Sequence, residues 1–214
     1  LLKSISCIKL KETKSHRNDS PLMKEQRNEN PMSQQSKPHA SKEFLPLGIA
    51  VLTVSDTRSL EEDTSGQLLV DRLTEAGHKL AGRELIPDDI YQLRAEVSRW
   101  IADPKVQVIL TTGGTGFTDR DSTPEALAPL FDKQVEGFGE LFRHISYQEI
   151  GTSTLQSRAV AGLSNRTLIF CMPGSTNACR TAWDNILGEQ LDARTKPCNF
   201  IPHVKLTAVC ESRG

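Results

Sequence analysis

The residues best suited to chemistry lie in one stretch, Val106-Gln-Val-Ile-Leu-Thr-Thr-Gly-Gly-Thr-Gly-Phe-Thr-Asp-Arg-Asp-Ser-Thr-Pro-Glu125. An apolar run ends in Thr111 and Thr112, and three glycines follow within four residues, Gly113, Gly114 and Gly116. Asp119, Arg120 and Asp121 come next, and Ser122-Thr-Pro-Glu125 reads as a helix start. Strand, glycine loop, acid, helix is the order in which an α/β sheet turns backbone N–H groups toward a bound phosphate. The loop is not a Walker A sequence, because no Lys follows the glycines. It fails the dinucleotide fingerprint too, since Asp119 stands where the last Gly is needed. A tight turn using Gly for positive φ is the plainer reading. Three glycines, four threonines and an acid in one loop exceed what a turn requires.

Two more polar turns, Ser55-Asp56 and Pro173 to Asn177, also end apolar runs, and Pro87-Asp88-Asp89 follows a weaker one. Open α/β sheets bind ligands outside the carboxyl ends of their strands, so these turns are expected to converge with the glycine loop. Each acid also has a structural reading. Asp88 serves equally well as a helix N-cap accepting from the Tyr91 N–H, and Asp121 as a cap for the helix at Pro124. Asp56 could close an Asx-turn. The five histidines show no ligand spacing, and no Ser/His/Asp or Cys/His arrangement stands out.

The elements that must position these turns follow from the apolar pattern. Leu47 to Val54, Val106 to Leu110 and Thr167 to Met172 are nearly continuous apolar runs, as parallel strands covered on both faces require. His78 to Ile86 is a shorter, more polar strand suited to a sheet edge. Helices are expected between them. One is capped by Asp63, carries Leu69, Leu73 and Ala76 on one face and closes at Gly77. The next has Ile90, Leu93, Val97 and Trp100/Ile101 as its stripe and stops at Asp103-Pro104. Pro124–Leu130 and Gly137–Glu149 follow, the latter with Phe138, Leu141, Phe142 and Ile145 on its apolar side. Leu155–Ala161 reads as a short helix or turn, and Ala178, Ala182 and Ile186 mark the last helix. Such alternation predicts a single α/β domain with a mostly parallel sheet flanked by helices.

Composition sets the remaining bounds. Of the 26 Lys/Arg and 27 Asp/Glu, nine and five lie in residues 1–43, which leaves the rest of the chain mildly acidic. An acidic body with two Trp and two Tyr does not suit a nucleic-acid surface. Residues 1–43 are polar and aperiodic, the composition of a disordered extension, with Met32 as a plausible start. The domain is expected over 44–205 with a tail over 206–214; from Asp192 the chain lacks periodicity and is expected to be irregular and surface-bound. Five cysteines without a C-x-x-C pair point to reduced thiols and a cytoplasmic setting, with Cys171 buried. No stretch approaches the ~18 apolar residues of a membrane span.

Thr112-Gly-Gly-Thr-Gly-Phe-Thr-Asp-Arg-Asp-Ser-Thr-Pro-Glu-Ala126, with Ser55-Asp-Thr-Arg58, Ile86-Pro-Asp-Asp89, Leu155-Gln-Ser-Arg-Ala159 and Met172-Pro-Gly174, resembles the molybdopterin-binding family of molybdenum cofactor biosynthesis. The match spans about residues 44–205 and is most specific for its protein B branch, through Val135–Glu140, Glu149–Arg158, Pro173–Arg180 and Gln190–Arg194. The resemblance implies a subunit of a trimer or hexamer, possible contacts with other proteins of that pathway, and a molybdopterin pocket whose glycine loop holds the terminal phosphate. It further implies adenylyl transfer from MgATP to that phosphate, or, as the alternative, non-catalytic binding and carriage of molybdopterin. Asp88 and Asp121 match the important acids of active relatives and would be both catalytic residues and Mg²⁺ ligands, with Asp56 a further contact. Ser55, Asp56, Thr112, Gly113, Gly114, Thr115, Gly116, Ser157, Arg158, Pro173, Gly174 and Ser175 would line the molybdopterin site. The chain departs from active adenylyltransferases at Asp119 and Ser122, where they commonly have Pro and Val, and at Ser175-Thr176, where they tend to have a residue then Pro.

Overall fold

The computed structural model describes residues 43–206. The expected disordered extension and C-terminal tail therefore lie, but for a residue each, outside the described residues. Where apolar residues continue without a break, the chain forms the central strands: β1 (Gly48–Val54), β3 (Val108–Thr112) and β6 (Thr167–Met172), buried at every position except Gly48. With β2 (Lys79–Ile86), β4 (Lys133–Gln134) and β5 (Val160–Ser164) they make one sheet of order β2-β1-β3-β6-β5-β4. The more polar β2 takes an edge, as its composition predicts. β1, β2, β3 and β6 are parallel, while β5 and β4 are antiparallel to their neighbours.

Alternate strand residues face two helical layers. Ile49, Val51, Val108, Leu110, Phe170 and Met172 pack with Leu69 and Leu73 of α1 (Thr64–Glu75), Phe138 and Phe142 of α4 (Glu136–Ile150) and Ala182 of α5 (Thr176–Ala182). On the other face, Ala50, Leu52, Ile109, Ile169 and Cys171 meet Leu93, Val97 and Trp100 of α2 (Ile90–Ala102) and Ala126 and Leu127 of α3 (Thr123–Leu127). Each such large apolar side chain contributes roughly 2 kcal/mol on burial. Asp63 caps α1 through the Gly66 N–H, and Gly77 leaves it with φ +89°. Among the described residues no helix is long and apolar enough to cross a membrane.

The paired registers Val54↔Ile86, Thr53↔Thr112 and Thr112↔Met172 bring all four parallel strands to one edge. The sheet order also reverses there, because β1 connects onward to β2 on one side while β3 lies on the other. That reversal opens a crevice beyond β1 and β3.

Three expectations are corrected. The segment expected to be helix or turn over Leu155–Ala161 is a 3-10 turn, Gly151–Gln156, followed by β5. β5 is short, and its Gly162 lets the Phe131 ring press against the strand, a contact no local pattern announces. Leu141 faces solvent rather than the core. The tail after Asp192 is irregular but not confined to the surface: Ile201 and Val204 are buried in the core, and the Lys205 N–H donates to Arg166 O.

Candidate functional site

The glycine loop leaves β3 pressed against the end of β1. A Cβ on Gly113, whose φ is +103°, would lie 2.1 Å from Val54 O, so only glycine permits this approach. Thr112 holds the base of the loop by donating from its Oγ1 to Pro173 O at 3.0 Å, which ties the ends of β3 and β6 together. On return, the Thr123 N–H donates to Gly114 O at 2.9 Å.

Asp88, at the end of β2, reaches across to this loop. It is not the cap of α2; that role falls to Asp89, whose carboxylate accepts from the N–H groups of Tyr91 and Gln92. Asp88 Oδ1 instead accepts from Ser122 Oγ at 2.7 Å and from its N–H at 3.2 Å. Asp121 does not cap α3 either. Its Oδ2 accepts from the N–H and Oγ1 of Thr118 at 2.9 and 2.6 Å, which closes the loop on itself. Asp56 makes no Asx-turn. Ser55 Oγ closes that turn by accepting from the N–H groups of Thr57 and Arg58. This frees Asp56 to accept from the Asp88 N–H and to pair with Arg120 through two hydrogen bonds, 2.8 and 3.0 Å.

The three acids are differently tuned. Burial pushes the Asp88 carboxyl above the ordinary carboxylate range; Ser122 opposes this, while repulsion from Asp121 and Asp56 adds to it. The Thr118 hydroxyl holds Asp121 low, and Arg120 holds Asp56 low. Thr123 Oγ1 is buried beside Asp88 with no hydrogen-bond partner.

The crevice has two halves that share Thr115, Gly116, Gly174 and Ser175. The outer half, about 350 Å³, is lined by Ser55, Arg58, Gly113, Gly114 and Asp121 among others. The inner half, about 400 Å³, runs past Ser157 and Pro173 between α4 and α5. Arg158 lines neither half. Its guanidinium lies against the loop, donating to Thr115 O at 3.1 Å and Asp121 O at 2.9 Å, pairing with Glu125 and resting over the Phe117 ring. It therefore shapes the loop rather than the cavity.

Sequence reasoning missed several lining residues. Arg58 is a cation in the outer half, held by Gly174 O, and it could have been found as the basic residue of the turn after β1. Asn177 ends a polar turn the sequence singled out and Glu149 opens a segment that carries the resemblance, but their meeting with Thr181 gave no signal, because it depends on how α4 packs on α5. The thiols play no part in the crevice chemistry: burial pushes Cys171 up to about 12 and Cys179 up to about 11.

Known proteins share this fold and much of this sequence. The model of a family described as a probable molybdopterin binding domain matches residues 50–193. The molybdenum cofactor biosynthesis protein B of Escherichia coli (strain K12) is 62% identical over 165 residues, covering 77% of this chain and 97% of the relative. The protein of the same name from Bacillus subtilis (strain 168) is 44% identical over 142 residues, 66% of this chain and 84% of its own. A crystal structure of a molybdenum cofactor biosynthesis protein B superposes with a TM-score of 0.67 at 45% identity, over 71% of this chain and 93% of that one. The tungsten cofactor synthesizing protein MoaB from Pyrococcus furiosus gives 0.61 at 37% identity, over 67% and 92%. The chain belongs to the molybdopterin-binding domain family and, within it, to the molybdenum cofactor biosynthesis protein B group.

Proposed function

We propose that this crevice binds molybdopterin with its terminal phosphate in the glycine loop, and that the protein transfers an adenylyl group from MgATP to that phosphate. The observation that carries the reading is the placing of Asp88 against Gly114 and of Asp121 against Gly116, with Asp56 on the Asp88 N–H, at the edge where the sheet order reverses. In the reaction, a phosphate oxygen of molybdopterin attacks the α-phosphorus of ATP, the bond to the β-phosphate oxygen breaks, and pyrophosphate leaves. A phosphate monoester with a second pKa near 6 is already ionised at about neutral pH, so no general base is needed. No histidine lines either half of the crevice, in keeping with that chemistry.

The donor set suits Mg²⁺. Among the described residues no group of three or more His, Cys, Asp or Glu is placed to hold a metal ion by itself, so a cation here would have to be shared with the substrate. Mg²⁺ characteristically takes one or two carboxylates and completes its shell with substrate phosphates and water. Asp88 and Asp121 would hold it, with Asp56 as a further contact. Their mutual repulsion, which helps to raise Asp88, is the excess negative charge that a divalent cation balances. Once bound it would neutralise charge between the nucleotide phosphates. Arg58 adds positive charge on the phosphate side. Free thiols at Cys171, Cys179 and Cys198 support a cytoplasmic setting, and the trimer or hexamer belongs to this proposal.

One observation favours the non-catalytic alternative, a molybdopterin carrier. Asp121 and Asp56 are each engaged by partners of the chain itself, Thr118 and Arg120. Incubation with molybdopterin and MgATP decides between the two. Adenylated molybdopterin with stoichiometric pyrophosphate is expected, and its persistence in Asp121→Asn or Asp88→Ala would sink the catalytic assignment. Tight molybdopterin binding without product would establish the carrier reading.

A further inference from the structure

The inner half of the crevice carries its charge at one place. Glu149, near the end of α4, is the only ionisable side chain among the residues lining it. It does not line the outer half, where the glycine loop lies. Its carboxylate is held from two sides. Oε2 accepts from Asn177 Nδ2 at 2.8 Å, and the Thr181 hydroxyl sits 3.1 Å from both oxygens. Thr181 is 3% exposed, so this anchor belongs to the packed face of α5. A carboxylate offers about four acceptor positions, and these two donors leave part of them open. Phe142, Ile150, Pro173 and Ala178 make the neighbouring walls apolar. In the same cavity Ser157 Oγ is buried with no hydrogen-bond partner.

This arrangement asks for a flat ligand with apolar faces and an edge of paired N–H donors. The aminopyrimidinone end of a pterin is such an edge: its 2-amino group and ring N–H point the same way, like one side of a guanidinium, which a carboxylate accepts bidentately. Building on the molybdopterin reading above, we propose that Glu149, set by Thr181 and Asn177, reads the amino edge of the pterin. A carboxylate at one end and phosphate-binding N–H groups at the other would also fix the ligand's direction. Its phosphate would be repelled by Glu149 and drawn to the glycine loop.

Fluorescence titration of the full chain with molybdopterin, 6-hydroxymethylpterin and 6-hydroxymethyllumazine tests this, because the lumazine has a carbonyl in place of the 2-amino group. The wild type should favour the pterin over the lumazine by about tenfold or more, since a site built around a donor rejects an analogue that lacks it. Glu149→Ala should bring that preference to within about twofold and weaken molybdopterin about tenfold, the low end for a charge-assisted pair at a partly open site. Thr181→Val should lose a smaller share of both while keeping the shape of the α5 face. Inorganic phosphate affinity and Tm should stay at wild-type values in Glu149→Ala. Wild-type binding of molybdopterin with unchanged affinity and preference in Glu149→Ala would overturn the role of Glu149 and leave the proposed function standing. Failure of the wild type to bind molybdopterin at all would overturn both.

Discussion

Gly114 is where the reading of the loop can be broken most directly. Its φ is +61°, and a Cβ there would lie 2.2 Å from Thr123 Oγ1 and 2.3 Å from Asp88 Oδ2. Neither neighbour can retreat easily. Thr123 is fully buried and its N–H is spent on Gly114 O, while Asp88 is 8% exposed and tied to Ser122. A left-handed φ costs an L residue about 1 kcal/mol, and forcing an extra atom into a packed site costs about 1–3 kcal/mol. Gly114→Ala should therefore lose roughly 3 kcal/mol, which in a domain of this size lowers Tm by about 6–12 °C. Gly116→Ala is the matched contrast. Its Cβ would meet Asp121 Oδ2 at 2.7 Å, but Gly116 has no left-handed φ and the carboxyl of Asp121 is partly exposed and can swing aside. Its Tm should stay within about 2 °C of wild type, by the same scaling, while molybdopterin affinity falls because the loop acid has moved. Scanning fluorimetry and molybdopterin titration of the two variants give both readouts. A Gly114→Ala protein that melts with wild type and binds normally, or a Gly116→Ala protein that is the less stable of the two, would refute the reasoning.

The acids make opposite demands on pH. The folded state raises Asp88, so its contribution to stability is full below about pH 4, the ordinary carboxyl value, and is lost as pH rises through its raised value. Asp88→Asn should thus gain Tm over wild type as pH rises above about 4 while losing on the order of a hundredfold in adenylylation. Asp121 and Asp56 are lowered, so their contributions are present above the ordinary value and lost as pH falls through the folded ones; neutralising either should cost stability at pH about 7. Arg158→Lys keeps the charge but not the fork that joins Thr115 to Asp121. It should lose about 1–2 kcal/mol by thermal melting, together with molybdopterin affinity. At pH about 8 a thiol reagent should label exposed Cys198 in the native protein and spare Cys171 and Cys179 until denaturant is added, as peptide mass mapping would read.

The central sheet was legible because a strand covered on both faces must be apolar at nearly every position, and Leu47–Val54, Val106–Leu110 and Thr167–Met172 come close to that. β5 and the buried Ile201 and Val204 were not. Their burial comes from partners distant in sequence, Phe131 on Gly162 and the core beneath β6, and leaves no local period. The tight turn after β3 was legible because glycine at Gly113 and Gly114 answers a backbone demand that sequence order alone can suggest.

The acids test the limit more severely. Asp88 and Asp89 are adjacent and chemically identical, and both stand before an amphipathic helix; spacing cannot tell which turns back to cap it. The backbone decides. Asp89 sits at φ −132° and ψ 122°, the extended geometry from which a cap reaches its own helix, so Asp88 is left one residue earlier at the strand end, where its carboxylate can only point across the sheet edge. That placement is costly for a charged group, as the raised Asp88 shows, and Asp56 and Asp121 deepen the cost. The repulsion that Asp121 and Asp56 add at Asp88 has no use in a merely structural turn, and under the proposed function a cation and a phosphoryl ligand would together relieve it. The case for Asp88 as a working acid thus rests on the expense of its position, which a helix cap would have avoided.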